Sequence, residues 1–228
     1  MDRGDPAYRG QADYNPVFLR IYDRLVLGLF ARFVWRLSTA KHVRFYRKHI
    51  RPNHLDVGPG TGYFLQHSGL ADGSPVTILD PNANVLRHVE RRLSQLDVTA
   101  IQADVLKPLP VSGPFDSAAI SGVIHCLPGP MERKGMAIEN IAQVLAPDGV
   151  LFGMTILGPA AKHTRLGRAF LGALNRRGTF SNLDDTEAGL RAILERSFRD
   201  VRVETTGPNA TFIAAHPIAR VTASPGLS

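Results

Sequence analysis

A chain of 228 residues with 44% hydrophobic and 21% charged side chains suits one α/β domain with accessory segments. Its one cysteine, Cys126, excludes an internal disulfide, and the polar opening from Met1 to Gly10 lacks a basic-then-apolar signal pattern. The apolar run at residues 25–31 is far too short to span a bilayer, so a soluble, cytoplasmic protein is expected, with a net charge of +7 whose placement matters.

Residues 1–15 are polar and expected to be poorly ordered without a ligand. Pro16 opens a helical pattern reaching about Trp35. Phe18, Ile21, Tyr22, Leu25, Leu29, Phe33 and Val34 recur on one side of it, while Arg20, Arg24, Arg32 and Arg36 form a stripe on the other. With Lys41, Arg44, Arg47, Lys48 and Arg51, and only Asp23 as an acid, residues 20–51 carry an excess of about +8, which leaves the remainder near neutral. Three readings stand for this stripe: a solvated helix face, attraction to phosphate-bearing substrates, or peripheral contact with an anionic membrane surface. Nucleic acid fits least, because no interleaving of basic and aromatic residues accompanies the charge.

A second helical pattern covers residues 40–50. Strand signals then follow at 54–57, 76–79, 98–101, 115–120 and 150–155, with helical patterns at 62–68, 84–93 and 132–145 between them. Such alternation predicts a parallel sheet with helices on both faces. Residues 161–177 are basic and helix-compatible, with Lys162, Arg165, Arg168, Arg176 and Arg177 and no acid. A helix over 184–196 is expected to take Asp184 or Asp185 as its N-cap. Strands at 200–205 and 210–216 flank Gly207-Pro208-Asn209, a hairpin turn, and Pro217 ends the domain.

The most informative stretch is His54-Leu-Asp-Val-Gly-Pro-Gly-Thr-Gly-Tyr-Phe64. Gly58, Gly60 and Gly62 at alternate positions imply a tightly turning backbone that a ligand can approach. A dinucleotide fingerprint would need its third glycine where Tyr63 stands, and a Walker loop would need a lysine that is absent. An acid, Asp56, followed by G-x-G-x-G after a strand resembles motif I of the class I S-adenosylmethionine-dependent methyltransferases. The resemblance covers about residues 40–217. It implies a Rossmann-like, doubly wound, seven-stranded sheet with a terminal antiparallel hairpin. An N-terminal helical cap over residues 1–39, a basic lid insertion at 160–183 and a flexible tail at 218–228 would complete the chain.

The same resemblance assigns roles. The glycine turn would pass under the methionine part of the cofactor, with Asp56 holding its ammonium. Asp80, followed by Pro81 and Asn82, stands where the family's ribose-binding acid stands; a helix N-cap is its plainer alternative. Asp104 and Val105 match the adenine site, Asp104 otherwise being a loop cap. Residues 115–127, including Ser121 and Gly122, look like the corresponding segment of small-molecule methyltransferases related to the ubiquinone and menaquinone enzymes. The N-terminal stretch resembles them too, which would let Tyr14 and Tyr22 reach the cofactor, although Tyr22 also suits a core position. No metal is implied. The Asp/Asn-Pro-Pro-aromatic signature of exocyclic-amine methyltransferases is missing, and Cys126 follows His125 rather than a proline, which weighs against nucleic acid.

S-adenosylmethionine, leaving as S-adenosylhomocysteine, would then serve methyl transfer to a small, hydrophobic organic acceptor. His125 is a candidate base or a packed histidine, and Cys126 is filler. The rival readings are an RNA or protein methyltransferase and a non-catalytic, cofactor-binding partner protein.

Overall fold

The computed structural model describes residues 38–218. Tyr14, Tyr22, the Arg20–Arg36 stripe and nearly all of the expected cap and tail lie outside the described residues. Helix α1 (Thr39–His49) leads into β1 (His54–Val57), the short α2 (Tyr63–Gln66), β2 (Pro75–Leu79), α3 (Ala83–Arg92), β3 (Asp97–Ile101) and β4 (Phe115–Ser121). A single 3-10 turn (Ile124–Cys126), α4 (Met131–Ala142), β5 (Leu145–Ile156), α5 (Arg165–Arg177), α6 (Glu187–Glu195), β6 (Phe198–Thr206) and β7 (Asn209–Pro217) follow. The seven strands order as β3-β2-β1-β4-β5-β7-β6. The first five run parallel, and β7 inserts antiparallel between β5 and β6.

Strand periodicity sorts the side chains. Leu55 and Val57 of β1, Ala118 and Ile120 of β4 and Leu151 of β5 join the main core with α4 and α6. The alternate positions, His54 and Asp56, Ala119 and Phe152, face α1 on the opposite side, where Tyr46 stacks against Phe64. Helix α3 packs Val85, Leu86 and Val89 on Val76 and Ile78 of β2. Gly153 of β5 permits close strand approach, since a Cβ there would collide with the Ile120 carbonyl and come within 2.8 Å of Phe212.

Helix α1 also resolves part of the basic excess. Lys41, Arg44, Arg47, Lys48 and Arg51 are exposed; Arg47 donates to the His67 carbonyl (2.7 Å) and Arg51 to the Asp148 carbonyl (2.8 Å). Arg47, Lys48 and His49 fill its last turn, where positive charge favours the helix dipole. No described helix is long and apolar enough to cross a membrane.

Three local expectations need correction. Helix α5 begins at Arg165, capped by Thr164 Oγ1, because the chain from Gly158 first makes a turn in which Ala161 donates to Gly158. The helix after the glycine turn is only four residues long. The N-cap of α6 is Thr186, whose hydroxyl accepts the Gly189 amide at 3.0 Å, rather than Asp184 or Asp185. Asp185 is committed elsewhere: both of its oxygens accept from the fully buried Lys134 Nζ, at 2.8 and 2.6 Å.

Candidate active site

Strand order reverses between β1 and β4, and open α/β sheets bind ligands in the crevice beyond the carboxyl ends at such a point. The turn after β1 lines it. Gly58, Gly60 and Gly62 all have positive φ, at 67°, 59° and 75°, which a side chain would strain. Their surroundings differ. A Cβ on Gly58 would run into Val123, so this glycine lets the turn pack against the segment after β4. A Cβ on Gly62 would press Val89 of α3 at 3.1 Å. Among the described residues Gly60 has nothing within 4 Å of that position, and neither has Gly122 (φ 77°) at the end of β4. Two bare, left-handed glycines, one after β1 and one after β4, thus face open space among the described residues.

Hydrogen bonds chain the loops of the site together. The Gly58 amide donates to the Leu79 carbonyl (2.8 Å), the Asp80 amide to that of Ile101 (3.2 Å) and the Gly122 amide to that of Met154 (2.8 Å). Gln102 donates to the Pro81 carbonyl at 3.0 Å. Arg92 braces the turn from outside, donating to Thr61 O (3.1 Å) and Gln66 Oε1 (2.8 Å) while lying over the Tyr63 ring. The sequence reading overlooked Arg92, which sits in a basic last turn that resembles any solvated helix end.

Asp56 is 1% exposed; its Oδ2 accepts from Tyr46 Oη at 3.1 Å, and its Oδ1 is buried with no hydrogen-bond partner among the described residues. An unsatisfied buried carboxylate oxygen is costly, and an incoming ammonium would satisfy it. Asp80 ends β2, with Oδ1 accepting the Asn82 amide at 2.7 Å. Asn82, not Asp80, caps α3, so the plain alternative for Asp80 is already filled. Burial pushes the Asp80 carboxyl up to about 7, with the Asn82 amide pulling the other way. Asp104 follows β3, half-buried, its Oδ1 accepting the Leu106 amide at 3.0 Å. The Val105 side chain goes into the main core, and its carbonyl accepts from Asn140.

His125 sits in the 3-10 turn after β4. The Ile156 backbone amide donates to its Nδ1 at 3.2 Å, and Thr155 Oγ1 lies at 3.2 Å from the same atom. A backbone amide only donates, so Nδ1 accepts and the ring proton rides on Nε2. Burial, helped by Lys134, holds the imidazole down at about 3. The ring packs edge-on against Phe180, 4.4 Å between centroids. Burial likewise pushes the Cys126 thiol up to about 12, which keeps it protonated and not a nucleophile.

The segment after β5, expected as a basic lid, is pinned rather than loose. Asn182, fully buried, donates to the Ile156 carbonyl (2.8 Å) and exchanges hydrogen bonds with Asn175 of α5. Ser181 donates to the His125 carbonyl (2.8 Å) and accepts from Lys134 (2.6 Å). Ile156 and Leu171 form a small apolar cluster there with Phe170, Leu174 and Phe180. No cluster of metal-ligating side chains occurs among the described residues.

Residues 55–151 match a family described as a methyltransferase domain. A demethylluteothin O-methyltransferase of Streptomyces thioluteus is 37% identical over 200 residues, 87% of this chain and 87% of that protein. A physcion biosynthesis cluster O-methyltransferase of Aspergillus chevalieri is 36% identical over 226 residues, 95% of this chain and 99% of the relative. Among solved structures, the N-methyltransferase NodS from Bradyrhizobium japonicum WM9, in complex with S-adenosyl-L-homocysteine, shares the fold at 16% identity with a TM-score of 0.56, over 80% of this chain and 90% of that one. A glycine turn with open space at Gly60, an acid with an open oxygen and a carboxylate at the end of β2 fit the cofactor those proteins imply, and the chain belongs to the class I S-adenosylmethionine-dependent methyltransferases.

Proposed function

We propose that the protein methylates a hydroxyl oxygen of a small, apolar organic molecule. The observation that carries this reading is the apolar wall of Ile156, Phe170, Leu171, Leu174 and Phe180 beside His125, at the carboxyl ends of β4 and β5. Two relatives named as O-methyltransferases along nearly the whole chain support the choice of oxygen.

When bound, S-adenosylmethionine supplies an electrophilic methyl carbon on a sulfonium that departs readily. With the His125 imidazole held down at about 3, the acceptor hydroxyl would give up its proton to bulk solvent before the site is enclosed, and not to that side chain. The protein's work is to align the two partners and keep water out. Gly60 and Gly122 give the cofactor room, Asp56 takes its ammonium, Asp80 its ribose diol, and Asp104 its adenine amine. His125 acts as a neutral wall that offers the Nε2 proton as a donor, not as the base.

Mass spectrometry of acceptors incubated with protein and cofactor tests this. Apolar phenols and alcohols should gain one methyl group, while matched amines, thiols and RNA should not. His125→Gln should lower turnover less than about tenfold and leave no histidine limb to be lost near neutral pH. Methyl gain confined to amines or RNA, or a loss of about a hundredfold with disappearance of a neutral limb, would overturn the reading.

Asp80 carries a second expectation. In the empty protein its carboxyl titrates near 7, above its unfolded value; the stability it lends is complete below about pH 4 and lost as pH rises through about 7. A ribose diol donates to the ionised form and favours it. S-adenosylhomocysteine affinity should therefore rise up to about tenfold between about pH 6 and pH 8. Asp80→Asn should flatten that profile, as calorimetry at the two pH values would register.

A further inference from the structure

Three polar atoms without a hydrogen-bond partner among the described residues gather at and around the Asp56 carboxylate. Asp56 Oδ1 is one; His54 Nε2, 3.9 Å from Asp56 Oδ2, is another. The third, Ser121 Oγ, lies beside the Tyr46 hydroxyl but makes no well-directed bond to it. Sheet periodicity turns His54 and Asp56 to the same face of β1, and α1 lays Tyr46 across that face.

What holds these side chains is rigid. The Tyr46 ring is 2% exposed, stacked on Phe64 at 5.3 Å and edge-on to Phe152 at 5.0 Å, so its hydroxyl has little freedom. His54 stacks on the same Phe152 ring, and its Nδ1 lies 2.8 Å from Ser117 Oγ, which also accepts the Arg51 amide at 2.9 Å. Asp56 Oδ2 is thereby engaged from α1 and flanked from its own strand. Oδ1 is left buried and open. A carboxylate turns readily about its last bond; with Oδ2 fixed, it needs no reorganisation when a cation arrives.

We propose that Tyr46, by its hydrogen bond to Oδ2, and His54, by packing beside that oxygen, are positioning residues that fix Asp56 and so present Oδ1 to the ammonium at the methionine end of the cofactor. This rests on the cofactor reading above. Among the described residues the well-directed hydrogen bond of the Tyr46 hydroxyl goes to Asp56, so the effect of removing that hydroxyl should be confined to ligands that carry the ammonium.

The test uses the full chain and two ligands, S-adenosylhomocysteine and 5′-methylthioadenosine, which keeps the adenine, ribose and sulfur but lacks the amino acid. Tyr46→Phe should raise the Kd for S-adenosylhomocysteine about tenfold or more, the usual loss for a hydrogen bond to a charged group. The Kd for 5′-methylthioadenosine should stay within about twofold, since no bond to that ligand depends on Asp56. In an Asp56→Asn background Tyr46→Phe should have no further effect, because both act on one contact. Equal weakening of both ligands would mean a merely structural tyrosine and overturn the inference. So would an effect that persists without Asp56. If Asp56→Asn weakens S-adenosylhomocysteine but Tyr46→Phe does not, the positioning role fails and the cofactor site stands. If Asp56→Asn leaves both ligands unchanged, both fail together. His54→Gln, read by the same split between ligands, gives the answer should Tyr46→Phe not fold.

Discussion

Gly60→Leu should abolish S-adenosylhomocysteine binding, raising Kd at least about a hundredfold, while the protein still folds. The argument is one of unequal glycines. All three in the turn have positive φ, so any side chain costs about 1–2 kcal/mol in backbone strain. At Gly58 the added atom would also strike Val123, and at Gly62 it would crowd Val89, so those substitutions strain packing. At Gly60 the new side chain meets no atom of the described residues within 4 Å of its Cβ, so it should occupy the open space proposed for the cofactor. A melting curve lowered only by the strain, together with a flat calorimetric titration, is the expected pair of results. Gly58→Ala should give the reverse emphasis, with a larger fall in stability than in affinity per folded molecule. Normal binding by Gly60→Leu would remove the cofactor from this turn.

Lys134→Met should cost about 3–5 kcal/mol of unfolding free energy, because it strands the Asp185 carboxylate in the interior. Lys134 is fully buried and gives its three donors to Asp185 Oδ1, Asp185 Oδ2 and the Ser181 carbonyl. Burial pushes the Lys134 ammonium down and the Asp185 carboxyl up, and each charge opposes that push on the other. Neither is comfortable alone. Lys134→Met combined with Asp185→Leu should recover most of the loss, since apolar replacement of a whole buried pair is often close to neutral. Urea denaturation of the two variants measures both numbers. Activity of Lys134→Met should fall even where it remains folded. Ser181 and Asp185 also bond the His125 carbonyl and the Gly158 amide, and these hold the apolar wall in place.

Helix N-caps show where sequence signals stop. Asp184, Asp185 and Thr186 all carry oxygens suited to a cap, and the pattern alone leaves the choice among them open. Thr186 takes the role because Lys134, 51 residues earlier, lies where Asp185 can pair with it. His125 makes the same point. Its place after β4 is written in the sequence, but the amide that occupies its Nδ1 comes from β5, 31 residues on. Tyr46 was within reach of a closer reading: His42, Phe45, Tyr46 and His49 repeat at helical spacing, which marks the face of α1 turned to the sheet. Nothing local says that Asp56 would be waiting there.

The alternation of strand and helix periods, the G-x-G-x-G turn and the acids at strand ends were enough to point to a doubly wound sheet and to the methyltransferase family. Each of those signals is local, set by backbone sterics and by which face of an element must be buried. Register and packing decided the rest: which glycine faces open space and which faces Val123, which aspartate is open and which is paired, and which nitrogen of His125 carries its proton. Those properties belong to pairs of groups far apart in the chain, and a side chain acquires its charge, tautomer and partner only when folding brings the second group to it.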